Sequence, residues 1–238
     1  LCGRNGGRST DRPPVVGARP RGAGAASLER IDATAPAEIV PGLVRWSAPH
    51  PEWKSDAEPG SSSDWEQMVG SVLYETPAGL VVLIDPLLPM VERALFLHWL
   101  DERVAGRPVS ILTTIHWHRR DREELAERYR ENTTRVWNYL PPGVEQRPLH
   151  RAGETLFWLP AVATLVAGDR LIGDGAGGVQ VCPQSWLTEV PADRAEVAGL
   201  LRELLVLPIE RVLVSHGEPV LRQGHATLRR AIVEVEGG

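Results

Sequence analysis

At 238 residues and 42% hydrophobic composition the chain is long enough to bury one large core, and it divides into a tail and a single folded domain. A net charge of −5, with no basic stripe interleaved with aromatics, argues against nucleic acid as a partner. Its two cysteines, Cys2 and Cys182, supply neither a disulfide framework nor a CxxC knuckle, which suits a reducing cytosol, and the apolar runs at 80–84 and 161–167 are too short to span a bilayer.

Residues 1–36 are rich in Gly, Arg, Ala and Pro and nearly free of aliphatic periodicity. Such a segment cannot bury enough apolar surface to offset its chain entropy, so a disordered N-terminal segment is expected. It lacks the continuous apolar stretch of a secretory signal, and Asp11, Glu29 and Asp32 interrupt it as an Arg-rich targeting segment. The expected location is the cytoplasm.

The folded domain is expected over 37–238. A first strand at 43–46 is followed by a polar loop at 50–65, long enough for a functional lid. Trp53 and Trp65 would either pin that loop to the domain or face a substrate. Strands at 70–75 and 80–84 make a hairpin through Pro77 and Gly79, and the second ends in Asp85-Pro86. A helix at 90–104, a buried strand at 110–115 and a polar helix at 121–131 come next. Further strands are expected at 135–139, 155–159, 164–167 and 211–214, and helices at 192–205 and 226–235. Strands and helices alternate in two blocks, which implies two sheets packed face to face with helices outside.

The chemistry starts where the strand at 110–115 stops, at His116 and His118. In extended backbone, residues two apart point to the same side, so both imidazoles would converge on one ion. Zinc and similar ions accept neutral imidazole, and a catalytic ion keeps about three protein ligands with one open position. Histidines His50, His98 and His225 lack such a context and are read as loop, helix-surface and helix-start residues.

Four motifs, HWHRRD at 116–121, HRAGETLFWLP at 150–160, TLVAGD at 164–169 and VLVSHG at 212–217, occur in an order that resembles the metallo-β-lactamase-fold hydrolases. LVVLIDP at 80–86 resembles the strand that precedes the metal motif there. The resemblance covers roughly 40–235 and implies an αββα four-layer sandwich of mixed α/β (α+β) class, with a metal site at one edge between the sheets. It also implies the ligands: His116, His118 and His150 for a first ion, Asp169 shared, and His216 for a second ion or as a proton carrier. Asp174 competes with Asp169, which is preferred because it directly ends the apolar run. Asp85 would accept a hydrogen bond from a ligand histidine.

The chain departs from the family where Asp-His is replaced by Arg120-Asp121. A guanidinium has no lone pair to give, so the second site loses a ligand. Arg120, if inward, would stabilise an oxyanion or a substrate carboxylate. Asp121 would either rescue the carboxylate role or cap the following helix, with Glu124 completing the box. The expectation is a metal-dependent hydrolase of a small ester, thioester, lactone or related bond, acting through metal-bound hydroxide on one or two divalent ions. Zinc leads, with iron or manganese as alternatives, and the partner is a small-molecule substrate. The alternative is a non-catalytic protein of the same fold that binds a ligand or partner in the same cleft.

Overall fold

The computed structural model describes residues 35–130 and 140–237. Most of the expected N-terminal segment and the strand expected at 135–139 lie outside the described residues. In chain order the elements are β1 (Ala37–Val40), β2 (Leu43–Pro49), β3 (Met68–Glu75), β4 (Val81–Ile84), α1 (Arg93–Val104), β5 (Val109–Leu112) and α2 (Arg122–Arg128). Then follow β6 (Glu145–Leu149), β7 (Glu154–Leu159), β8 (Thr164–Val166), β9 (Leu171–Gly173), β10 (Val179–Val181), α3 (Arg194–Arg202), β11 (Arg211–Leu213) and α4 (Gly224–Glu236).

The first five strands form one sheet in sequence order, antiparallel except for the parallel pair β4 and β5. A second sheet has the order β11-β8-β7-β6, with β11 parallel to β8, and β9 and β10 make a separate hairpin. The apolar run of β4 is explained by burial on both faces. Val81 and Leu83 pack with Phe96, Leu100 and Leu125 of α1 and α2, while Val82 and Ile84 pack with Phe157, Leu159 and Leu213 of the other sheet. On β7, Leu156 and Trp158 turn the opposite way, onto Val197 and Leu201 of α3 and Leu228 and Ile232 of α4. The strand period of two thus sorts alternate residues into outer and central cores, giving the layers αββα. Leu83 and Leu156 are fully buried, and truncating either to Ala would cost about 2–5 kcal/mol.

The two sheets touch directly at one edge. Gly70 of β3 donates its backbone N–H to Ser215 O at 2.7 Å, and Val69 bridges His216. A Cβ at position 70 would stand 2.7 Å from both the Arg45 guanidinium and Val214 O, so only glycine permits this approach. No helix among the described residues is long and apolar enough to cross a membrane.

Candidate metal centre

Four strand ends meet at that edge. β4 runs into Asp85, β5 leads to a 3-10 turn at His116–Arg119, β8 runs into Gly168-Asp169, and β11 into Ser215-His216. His118 is buried, with Nδ1 3.0 Å from Asp85 Oδ2 and Nε2 3.0 Å from Asp169 Oδ1. His216 Nε2 lies 3.4 Å from the same Asp169 oxygen. One donor atom from each of His118, Asp169 and His216 falls within 4.8 Å of the others.

Each group is held by its neighbours. Asp85 Oδ1 accepts from Thr114 N at 2.8 Å, and Oδ2 accepts from the Thr114 hydroxyl while fixing the His118 ring. When the ring is neutral, that bond selects the tautomer whose Nε2 lone pair is free for a metal ion. Asp169 Oδ2 accepts from Trp117 Nε1 at 2.7 Å. Behind it, the buried Glu154 carboxylate takes the backbone N–H groups of Gly168, Asp169 and Arg170 at 2.8–2.9 Å. Gly168 packs on Thr114 so tightly that any Cβ there would collide with the Thr114 hydroxyl. Asp85 (φ 49°) and Arg120 (φ 43°) both occupy left-handed backbone, which costs on the order of 1–3 kcal/mol each and sits where the site is assembled.

Burial alone would pull the His118 pKa down, but the Asp169 and Asp85 carboxylates outweigh it and push it up to about 9. Burial would raise Asp169, yet His118 and His216 hold it well below the usual carboxylate range. Glu154 is pushed up to about 7, first by burial and then by the Asp169 charge.

The fit of a metal ion is legible in these atoms. Asp169 Oδ1 is buried and makes no well-formed hydrogen bond, although His118 Nε2 and His216 Nε2 approach it at 3.0 and 3.4 Å. A carboxylate oxygen and two Nε2 atoms converging in this way match the donor set of zinc or ferrous iron.

The expected residues are divided by the structure. His118, Asp169 and His216 are brought together. His116 is not: Ile115 is the last extended residue (φ −139°, ψ 148°), and the chain then tightens into the 3-10 turn. At three residues per turn, side chains two apart diverge by about 120°, so His118 is buried while His116 is exposed beside Trp117 at the cavity mouth. His150 is exposed in the 3-10 turn after β6 and is not among the cavity-lining residues. Asp121 stands at the N-cap position of α2 but makes no capping bond; its carboxylate accepts from Leu88 N at 2.6 Å and Arg93 at 3.0 Å, anchoring the segment before α1. The Arg120 guanidinium donates to Gly70 O at 2.9 Å, Asp85 O at 2.8 Å and Ser215 Oγ at 2.6 Å. It ties the two sheets together under the site. Asp174 accepts from the backbone of Ala176 and Gly178 in the turn between β9 and β10.

A cavity of about 460 Å³ opens over the group. Trp65, Trp117 and Trp186 form its walls, and His216 lies edge-on to Trp65 at 5.5 Å and to Trp186 at 5.1 Å. Trp53 instead pins the 50–67 loop through its Nε1 to Trp65 O at 2.8 Å. His50 faces the cavity against Trp65 at 5.2 Å. Trp117, Trp186 and Glu154 were not predicted as site residues. The signals for two of them were a Trp set between two histidines, and a lone acid opening the apolar run 154–159.

No family model matches the chain, and no curated protein matches it by sequence. Solved structures do. The NDM_FIM-1 like metallo-β-lactamase of Erythrobacter litoralis in its mono-zinc form aligns with a TM-score of 0.56 at 13% identity, covering 89% of this chain and 100% of that one. A beta-lactamase domain protein from Burkholderia ambifaria gives 0.53 at 12%, covering 88% and 79%. A metallo-β-lactamase from Pontibacter korlensis gives 0.52 at 16%, covering 86% and 99%. At these identities the likeness is one of fold, and it agrees with the layers and the strand-end site described above: the chain has the metallo-β-lactamase fold.

Proposed function

We propose that this chain is a metal-dependent hydrolase of a small ester, thioester, lactone or related bond, with one divalent ion held by His118, Asp169 and His216. The observation that carries this is the buried, unpartnered Asp169 Oδ1 between two imidazole Nε2 atoms, under a cavity of substrate size. When bound, such an ion supplies Lewis acidity and a water acidified toward pH 7. The chain's own groups orient and shield. Asp85 holds the His118 ring, Trp117 holds the second oxygen of Asp169, and Trp65 and Trp186 limit water around His216. The substrate is a small molecule, and the mouth residue His116 is placed to meet its outer part.

A second reading, a binding protein without turnover, is favoured by Arg120. That guanidinium stands where the family motif has a carboxylate and is spent on Gly70, Asp85 and Ser215. With it, protonated His118 balances Asp85 and Asp169 without any ion. Elemental analysis of protein purified without chelator or tag metal, beside a panel of esters, thioesters and lactones, separates the two. About one equivalent of metal with turnover that chelation abolishes supports the hydrolase. Metal without turnover across the panel favours the binding protein, and no uptake of zinc, iron or manganese removes the hydrolase.

A further inference from the structure

The cavity is asymmetric in charge and chemistry from its buried end to its mouth. At the buried end are His118, Asp169 and His216; the exposed carboxylates that line it, Glu52 and Glu189, come from two separate loops. Arg120 also lines it, but all three of its hydrogen bonds run to backbone carbonyls and Ser215. No lysine lines the cavity, so no free ammonium is offered to a carboxylate.

The aromatic wall is built in advance. Trp117 is 40% exposed, although its Nε1 is tied to Asp169 and the buried Arg170 guanidinium lies 5.7 Å from its ring. A large ring left bare yet locked in place costs little entropy when a flat ligand stacks on it. The Arg170 charge behind that ring disfavours a second cation directly over it. A cationic group is therefore better placed toward Glu52 and Glu189, with Trp65 and Trp186 completing the aromatic lining.

We propose that in the metal-free protein the cavity prefers ligands with a planar or apolar body and a cationic head, such as aryl or short-chain alkylammonium compounds, over carboxylate-bearing ones of the same size. This rests on the proposed function only in making that ligand a substrate; recognition by the tryptophans and glutamates needs no turnover.

The test is binding by calorimetry and tryptophan fluorescence, using benzyltrimethylammonium, benzyl alcohol and benzoate as probes on the full chain freed of metal by chelation. The ammonium probe is expected to bind at least tenfold more tightly than benzoate, with the neutral alcohol between. Glu52→Gln with Glu189→Gln should bring that ratio close to one, and raised salt should weaken only the ammonium probe. Trp117→Ala should weaken both aromatic ions together, with Trp117→Phe retaining most of the binding. Benzoate binding as tightly as the ammonium, a ratio untouched by the double variant, or no binding of any probe overturns the proposal. Selective ammonium binding without ester turnover leaves it standing and removes the hydrolase, whereas turnover with a preference for anionic esters does the reverse.

Discussion

Asp85 Oδ2 and His118 Nδ1 lie 3.0 Å apart, on the side of the imidazole away from the metal group. The carboxylate thereby decides which ring nitrogen is free. Losing such an outer partner typically lowers metal affinity about 10–100-fold. Asp85→Asn is expected to fall in that range for zinc, measured by competition with a chelating dye. Because Asp85 also receives two bonds from Thr114, the variant is compared with Thr114→Val, which keeps the carboxylate on His118. Equal loss in both would mean that fold damage, not ring orientation, sets the affinity.

The seven histidines divide sharply in their expected contribution to metal content. His118→Ala and His216→Ala each remove one of three donors and should leave less than a tenth of the parent's metal after dialysis. His150→Ala, on an exposed turn, should leave it unchanged. His116→Ala should do the same while altering ligand affinity at the mouth. Metal loss in His150→Ala equal to that in His118→Ala would restore the full family ligand set and refute the three-residue group.

Much of this was readable from residue order. The two-block alternation of strands and helices implied the four layers, and Asp169 and His216 ended the strands that now deliver them. Asp85 was expected to serve a ligand histidine and bonds His118. Local backbone geometry was not readable. The period-two argument for His116 and His118 assumed that the strand continued to residue 118, whereas β5 ends at Leu112 and the pair lies on a 3-10 turn. Short strands such as β1, β9 and β10 were also missed, because three or four residues carry too little periodicity. Arg120 was legible as a lost ligand but not as a tie between sheets, since two of its three acceptors are backbone carbonyls, which have no sequence signature.

Glu154 receives three backbone N–H groups that have no route to solvent. Each orphaned donor costs about 1–3 kcal/mol, so Glu154→Ala should lose on the order of 4 kcal/mol after partial relaxation. For a domain of this size that lowers the melting temperature by roughly 10 °C. Glu154→Gln keeps one acceptor oxygen and turns an amide toward the remaining donors, so it should fall between parent and Ala. A Gln variant as stable as the parent would show that the carboxylate is not what holds the Gly168–Arg170 turn.

The stability of the metal-free protein and its gain on adding zinc should respond to pH in opposite senses. His118 is raised from 6.5 to about 9, so its contribution is complete below about pH 6.5 and is lost as pH climbs through 9. By the conversion of 1.36 kcal/mol per unit this is on the order of 3 kcal/mol. Glu154, raised from 4.5 to about 7, adds to the same decline, since only the unfolded chain ionises it freely between those values. Asp169 sets the acid limit: its carboxylate lies below 3.8, so its contribution holds above that value and is lost as pH falls through its lowered pKa. The chelated protein should therefore melt highest in weakly acidic buffer and progressively lower toward pH 9. A zinc ion would take His118 only in its neutral form, so the rise in melting temperature on adding zinc should grow over the same interval. Melting curves from pH 5 to 9, with chelator and with excess zinc, measure both slopes. A zinc effect independent of pH would mean that His118 is not a ligand, and a chelated profile unchanged in His118→Ala would mean that its charge does not hold the site together.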